Sequence, residues 1–360
     1  MPAPITITRD WSDERIDEII DVRSPAEFAE DHIPGALNLP VFSNEERAEI
    51  GTMYKQESPF LARRKGAAIV SHNIASHIQE HLRERPEKWR PLIHCWRGGQ
   101  RSRAFAHICA EIGWACFLLE GGYKTYRGQV LDGLRETPSE LKIIIISGKT
   151  GVGKTHLLQA IDKQGGQVID LESLACHKGS LLGADPAQNQ PTQRYFESQL
   201  YDKMRRFDHT KPVFIEAESS RVGDIAIPKE LWHKMRAAPM IELEASLETR
   251  LDLLKADYPH LLHRDATDLH KLIDGMTKRY GKDTTTNWRT DLQMGNFDNF
   301  IYQILADHYD PSYERTSGRH ERTLIGTVEL HKNNASNLDK LGQKCLMLAA
   351  DYDANHLDEK

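Results

Sequence analysis

The sequence predicts two α/β units, each built on a parallel sheet, with a helical region toward the C-terminal end. Three observations predict this. The 360 residues suffice for two domains at roughly 150 residues each, both large enough to bury a core. Short apolar runs alternate with helical periodicity, the pattern of buried strands joined by crossover helices. A polar breaker, Thr137-Pro138-Ser139-Glu140, separates two rounds of that alternation. The expected domains are therefore 12–137 and 138–360.

In the first round, Ile19 to Val22, Pro91 to His94 and Cys116 to Leu119 read as strands, and Ser102 to Ile112 and Tyr123 to Leu134 as helices. In the second, Leu141 to Ile146, Gln167 to Leu171, Pro212 to Ile215 and Met240 to Leu243 read as strands. From about 246 to 309 the apolar spacing becomes helical. No repeat or low-complexity tract interrupts either half.

Composition narrows the function classes. Apolar residues make up 39% and charged residues 28%, with both signs interspersed, which excludes a disordered chain. Apolar runs such as Ile143 to Ile146 are far short of the ~18 residues of a membrane span. The acidic N-terminus has no apolar core of the signal-peptide kind. Five cysteines without a C-x-x-C pair argue against a disulfide framework or a zinc knuckle. The expectation is a reducing cytoplasm. Net charge is −6, with no basic tail, so any nucleic-acid contact has to come from a local patch.

The strand Pro91 to His94 runs directly into Cys95-Trp96-Arg97-Gly98-Gly99-Gln100-Arg101-Ser102, where a helix starts. A cysteine at a strand end and a helix mouth faces backbone N–H groups and the helix dipole. Arg97 and Arg101 add full positive charge, and all three influences favour a thiolate. Gly98 and Gly99 let the backbone curl. Such a cradle binds an oxyanion and presents a sulfur nucleophile to it. Cys109, Cys116, Cys176 and Cys345 lie in apolar stretches and read as core residues.

The second constellation is Gly148-Lys149-Thr150-Gly151-Val152-Gly153-Lys154-Thr155, between a strand and a helix starting at His156. This is a phosphate-binding loop in its required context. Its amides point at a diphosphate, Lys154 supplies a point charge, and the Thr155 hydroxyl is placed for Mg²⁺. The loop reads a diphosphate and nothing beyond it. Glu216 and Glu218 end the apolar strand from Val213, which reads either as the companion metal strand, with Glu216 its acid, or as an ordinary acidic strand end. Asp170-Leu171-Glu172 and His177-Lys178-Gly179-Ser180 are candidate pocket residues.

Three blocks carry a resemblance. Ile20-Asp21-Val22-Arg23-Ser24-Pro25-Ala26-Glu27-Phe28, then His32 to Pro40, then Leu119-Glu120-Gly121-Gly122-Tyr123, resemble the rhodanese domain over roughly residues 12–137. The resemblance implies that Cys95 carries a terminal sulfur or selenium. Two features depart from it. Five residues separate Cys95 from Arg101, one more than in ordinary rhodaneses and the spacing of dual-specificity phosphatases, so phosphomonoester hydrolysis stays open. The stretch Val41 to Ile69 is longer than small rhodaneses need, and its Arg63-Arg64-Lys65 is either a solvated helix end or an RNA-phosphate contact.

A rhodanese-like unit followed directly by a P-loop unit resembles the tRNA 2-selenouridine synthase family across nearly the whole chain. That resemblance implies a transferase replacing sulfur by selenium in 2-thiouridine at the wobble position of tRNA. It further implies selenophosphate as selenium donor to Cys95, and geranyl diphosphate, held by the P-loop, as alkylating co-substrate. A P-loop kinase or ATPase with a non-catalytic rhodanese module is the rival reading. No other grouping has the spacing of a metal site: His77 and His81 are one turn apart with no third ligand. The basic groups Lys203, Arg205, Arg206 and Lys278, Arg279, Lys282 read as solvated helix faces that leave RNA plausible. Tyr309-Asp310-Pro311 reads as structural.

Overall fold

The computed structural model describes residues 2–178, 189–258, 267–316 and 322–356. It divides into two compact units. One comprises Met1–Gly133 with Thr192–Asp202, the other Leu134–Pro191 with Lys203–Lys360.

The elements of the first unit are β1 (Ile5–Thr8), β2 (Glu18–Asp21), α1 (Pro25–Glu30), β3 (Leu37–Asn38), α2 (Asn44–Gln56), α3 (Pro59–Glu80), β4 (Pro91–His94), α4 (Gln100–Ile112), β5 (Cys116–Leu119) and α5 (Tyr123–Glu140). Their five strands form one sheet in the order β1-β5-β4-β2-β3, every pairing parallel. The central β4 is buried along its whole length, as expected of a strand covered on both faces. Ile20, Val22, Ile93, Phe105, Trp89 and Trp114 are among the residues of its core. β4 and β5 match the expected ranges residue for residue. The helix expected to stop at Leu134 continues to Glu140, with Pro138 in its last turn. The edge strand β1 was not expected from the sequence.

The second unit continues with β6 (Lys142–Ser147), α6 (Lys154–Lys163), β7 (Gln167–Ile169), α7 (Leu171–Leu174), α8 (Gln193–Met204, most of which belongs to the first unit), β8 (Pro212–Glu216), β9 (Arg221–Val222), β10 (Ile225–Ala226), α9 (Lys229–Ala237) and β11 (Met240–Ala245). Then come α10 (Leu247–Asp257), α11 (Thr267–Met294, kinked at Gly281, whose φ is +82°), α12 (Phe297–Ile304), a π-helical turn over Leu305–Tyr309 and α13 (Asp310–Thr316). The chain afterwards returns to the sheet as β12 (Leu324–Leu330) and closes with α14 (Ala335–His356). The five-stranded sheet has the order β12-β11-β6-β8-β7 and is again parallel throughout. The helical region has a core of its own, with Leu269, Ile273, Trp288, Leu292, Phe300 and Ile304 among its buried residues. No described helix is long and apolar enough to cross a membrane.

Candidate functional site

In the first unit, β4 delivers Cys95 to the start of α4, and the thiol is 3% exposed. The Gly99 amide donates to Cys95 Sγ at 3.3 Å, and Ser102 Oγ lies 3.3 Å from the same sulfur. The amides of Trp96, Arg97 and Gly98 have no acceptor among the described residues. They remain available to an anion beside the sulfur.

Backbone alone shapes the other wall of this turn. Tyr123 N–H donates to Cys95 O at 2.8 Å, and Lys124 N–H to Trp96 O at 3.1 Å. Gly98 (φ +63°) and Gly122 (φ +61°) pass so close that a Cβ on Gly122 would lie 2.1 Å from Cys95 O and 2.6 Å from Gly98 N. Glycine is needed here twice over, for the left-handed backbone and for the approach.

The two arginines of the turn take different roles. Arg101 pairs with Glu27 (2.8 Å), both side chains being mostly buried. Burial pushes the Glu27 carboxyl upward, but Arg101, the Ser24 amide and Arg47 outweigh it and hold it below its ordinary value. Arg97 is exposed, with no ion-pair partner among the described residues. It is the cation free to meet an incoming anion.

Beneath the turn lies a buried polar frame built from the rhodanese-like motif. Arg23, 1% exposed, grips Asp21 through two nitrogens and donates to Asp31 O at 2.6 Å. Its guanidinium lies 4.0 Å from the centre of the Tyr123 ring, whose hydroxyl donates to Asp31 Oδ2 at 2.7 Å. His94 is fully buried 3.8 Å from Asp21, and burial depresses its basicity. These residues position the loop and do not face its opening.

In the second unit, β6 feeds the glycine-rich loop, and Gly148, Gly151 and Gly153 all have positive φ (+156°, +79° and +89°). Gly148, Thr150, Gly151, Gly153, Lys154 and Thr155 line a cavity of about 620 Å³, within the range of small-molecule sites. Lys154 Nζ donates to Gly148 O at 3.3 Å, and Thr155 Oγ1 to Glu172 Oε2 at 3.1 Å. The loop's other two members turn elsewhere. Val152 is buried in the core, and Lys149 pairs with Asp310 (3.3 Å) and Glu314 (3.5 Å). Arg250 fixes the loop from outside, donating to Thr150 O and to both Asp310 oxygens.

Of the candidate pocket residues, Asp170, Glu172, His177 and Lys178 line the cavity and Leu171 is buried. Gly179 and Ser180 lie outside the described residues. Three expectations are corrected. Glu216 does not face the cavity: it is 1% exposed, and one oxygen accepts from the amides of Leu171 and Glu172 (2.5 and 2.9 Å), capping α7. Glu218 lines the cavity instead, and burial beside Glu172 pushes its carboxyl up to about 8. Cys176, expected in the core, also lines it and has φ +48°.

Tyr309, read as structural, is the third. The π-helical turn ending at Tyr309 presents it to the cavity, together with Ser312 and Tyr313 of α13. Tyr313 is fixed by a 2.8 Å bond to Ser147 Oγ at the end of β6. With Leu254 and Tyr258 from the α10 end, these rings give the cavity an apolar wall beside its charged loop, Leu254 lying directly against Gly151. No sequence spacing announced that wall, because its members lie on separate elements.

The same division appears in comparisons with known proteins. Residues 8–129 match the rhodanese-like domain, and residues 141–338 match the family described as the tRNA 2-selenouridine synthase AAA domain. The tRNA 2-selenouridine synthase of Psychromonas ingrahamii is 32% identical over 322 residues, 82% of this chain and 87% of that protein. That of a Sulfurovum species is 31% identical over 337 residues, covering 85% and 90%. The Bdellovibrio bacteriovorus protein of the same name is 36% identical over 253 residues, covering 67% and 64%. With both units matched in order, the chain belongs to the tRNA 2-selenouridine synthase family.

Proposed function

We propose that this chain is a tRNA-modifying transferase that replaces sulfur by selenium in wobble 2-thiouridine, in two steps that use the two constellations in turn. The observation that carries the reading is their presence in one chain: a cysteine in an amide-lined turn and a P-loop opening on a cavity with an apolar wall.

In the first step the C2 sulfur of 2-thiouridine attacks the first carbon of geranyl diphosphate. The carbon–oxygen bond breaks and the N3 proton is lost. Diphosphate departs into the glycine-rich loop, where Lys154 and the amides of Gly148 to Thr155 stabilise the charge it gains. The wall of Leu254, Tyr258, Tyr309 and Tyr313 suits the hydrocarbon chain better than a polar sugar. Thr155, Glu172 and Glu218, whose oxygens share the cavity, are the residues that would hold Mg²⁺, which would supply positive charge to offset that of the diphosphate.

The alkylated sulfur is a far better leaving group than a thioamide sulfur. In the second step Cys95 Sγ takes the phosphoryl group of selenophosphate, an S–P bond forming as the P–Se bond breaks. The hydroselenide set free adds to C2 and expels geranyl thiol, and water then releases phosphate from Cys95, with no change of oxidation state. Arg97 and the open amides of the turn hold the phosphate end.

Nucleoside mass spectrometry of tRNA from cells carrying variants tests both steps. Cys95→Ala is expected to abolish 2-selenouridine while S-geranyl-2-thiouridine accumulates; Lys154→Ala is expected to prevent geranylation. Full selenation with Cys95→Ala refutes the mechanism. Nucleotide turnover that survives Cys95→Ala, without geranylated RNA, favours a P-loop ATPase. Loss of phosphomonoester hydrolysis in Cys95→Ser, without any effect on tRNA, favours a phosphatase.

A further inference from the structure

The helical hairpin of α2 and α3 carries a surface that neither step uses. Helix α3 buries Ala62, Gly66, Val70 and Ile74, spaced one turn apart. Phe60 and Arg64 fall on the opposite face, also one turn apart. At the hairpin tip Phe60 is 63% exposed and Tyr54 50%. Lys55, Arg63 and Arg64 are exposed beside them, and none has an ion-pair partner among the described residues. Lys65, the next cation, is already paired with Glu49.

Local physics accounts for Lys55, which sits in the last turn of α2 where a cation complements the helix C-terminus, but not for the rest of this tip. The first turn of α2 carries Glu45 and Glu46, the usual complement to a helix N-terminus. The first turn of α3 has no acid, and two arginines follow it. From Lys55 to Arg64 the chain has three cations and one acid, Glu57, in a sequence whose net charge is −6. Two exposed aromatic rings among uncompensated cations have no part in the buried core of this unit.

We propose that the α2–α3 tip is an RNA-contacting surface, on which Phe60 and Tyr54 stack unpaired bases while Lys55, Arg63 and Arg64 meet phosphates. The pattern is the one by which proteins grip single-stranded RNA: rings for base faces, cations for the backbone. The inference rests on the reading of the chain as a tRNA-modifying enzyme and adds where that RNA is held.

The test is equilibrium binding of a fluorescent tRNA bearing wobble 2-thiouridine to the full-length protein, by anisotropy across a salt series. Each phosphate contact contributes roughly 0.7–0.9 to the slope of log affinity against log salt. Replacing Lys55, Arg63 and Arg64 together by alanine is expected to lower that slope by about 2. Phe60→Ala is expected to weaken binding about fivefold or more, with Phe60→Leu equally weak because it keeps apolar bulk and loses the ring. Near-UV circular dichroism and thermal midpoint should not move, since all these side chains are exposed.

If wild type binds and the variants bind equally well with the same slope, the surface assignment is overturned and the proposed reaction stands. If the variants keep tRNA affinity but lose selenation, the tip docks a protein donor, and the RNA assignment is again overturned. If the wild-type chain binds no tRNA, both readings fall.

Discussion

Gly122→Ala against Gly99→Ala separates a cradle held by backbone contact from one that merely contains glycines. At Gly122 the new methyl would sit 2.1 Å from Cys95 O, 2.6 Å from Gly98 N and 3.0 Å from Arg97 N. All three are backbone atoms, and Cys95 O is itself pinned by the Tyr123 amide, so no side chain can swing away. Holding alanine at φ +61° costs about 1–2 kcal/mol. Overpacking against fixed backbone adds about 1–3 kcal/mol, and the strained Tyr123 bond about 1 kcal/mol. The sum is about 4 kcal/mol, which for a unit of this size lowers the thermal midpoint by roughly 10–20 °C. Gly99 has φ −92° and nothing within 4 Å of its would-be Cβ. Its alanine variant loses a little as helix cap and gains a comparable amount from a stiffer unfolded chain, for a net change near zero. Urea and thermal unfolding of both variants measure the difference, and nucleoside mass spectrometry shows whether Gly122→Ala accumulates geranylated tRNA, as is expected of Cys95→Ala. A Gly122→Ala protein that melts within two or three degrees (on the order of 0.5 kcal/mol) of Gly99→Ala refutes the packing argument.

Three further outcomes follow from the same geometry. Arg23→Leu leaves Asp21 buried without its partner and is expected to cost about 3–5 kcal/mol of first-unit stability in urea titrations, although Arg23 touches no substrate. Arg97→Ala is expected to leave stability unchanged while weakening use of selenophosphate, whereas Arg101→Ala, by orphaning Glu27, lowers the unfolding midpoint as well; equal melting of the two would remove the distinction drawn between them. Glu218 binds its proton more tightly when folded, with its carboxyl pushed up to about 8. Between the ordinary carboxylate value and about 8 the folded state therefore holds more protons than the unfolded one. Stability of the ligand-free protein accordingly falls as pH rises through that window, and Glu218→Gln is expected to flatten the fall in a series of thermal melts.

What the sequence disclosed, it disclosed where a local signal was sufficient. Pro91 to His94 and Cys116 to Leu119 are short, largely apolar and each followed by a glycine pair, and they fold as strands over those same residues. The glycine-rich loop was visible for the same reason, since its chemistry is written in consecutive residues. The failures have physical causes. Ile5–Thr8 alternates apolar and polar residues but lies at a sheet edge, largely exposed, so its apolar signal is weak. Glu216 and Glu218 are two residues apart, which a continuing strand would place on one face. The strand ends at Glu216, so one acid caps a helix and the other reaches the cavity. Tyr309 stands at the end of a π-helical turn, whose wider winding shifts the register that a regular helix would give. The return of the chain to the sheet as Leu324–Leu330 depends on pairing with Met240–Ala245, a partner about 80 residues away.

The two constellations also differ in how they manage charge, and that difference bears on the order of events. Around Cys95 the frame is internally neutralised: Arg23 by Asp21, Arg101 by Glu27. Arg97 and open amides are left over, so an anion can enter without first displacing anything. The P-loop cavity holds the reverse surplus. Asp170, Glu172, Glu218 and Asp257 line it against Lys154 and Lys178, and burial raises the proton affinity of Asp170, Glu172 and Glu218. A diphosphate beside ionised carboxylates is repelled unless protons or a cation offset the added charge. In the proposed reaction, loading that cavity is therefore the step expected to depend on pH and on divalent cation, and anion entry at Cys95 the step expected to depend on Arg97. Geranylation measured alone should respond steeply to Mg²⁺ and to the Glu218→Gln change, and selenation of pre-geranylated RNA to neither. If both half-reactions respond alike, the two sites do not divide the work in this way.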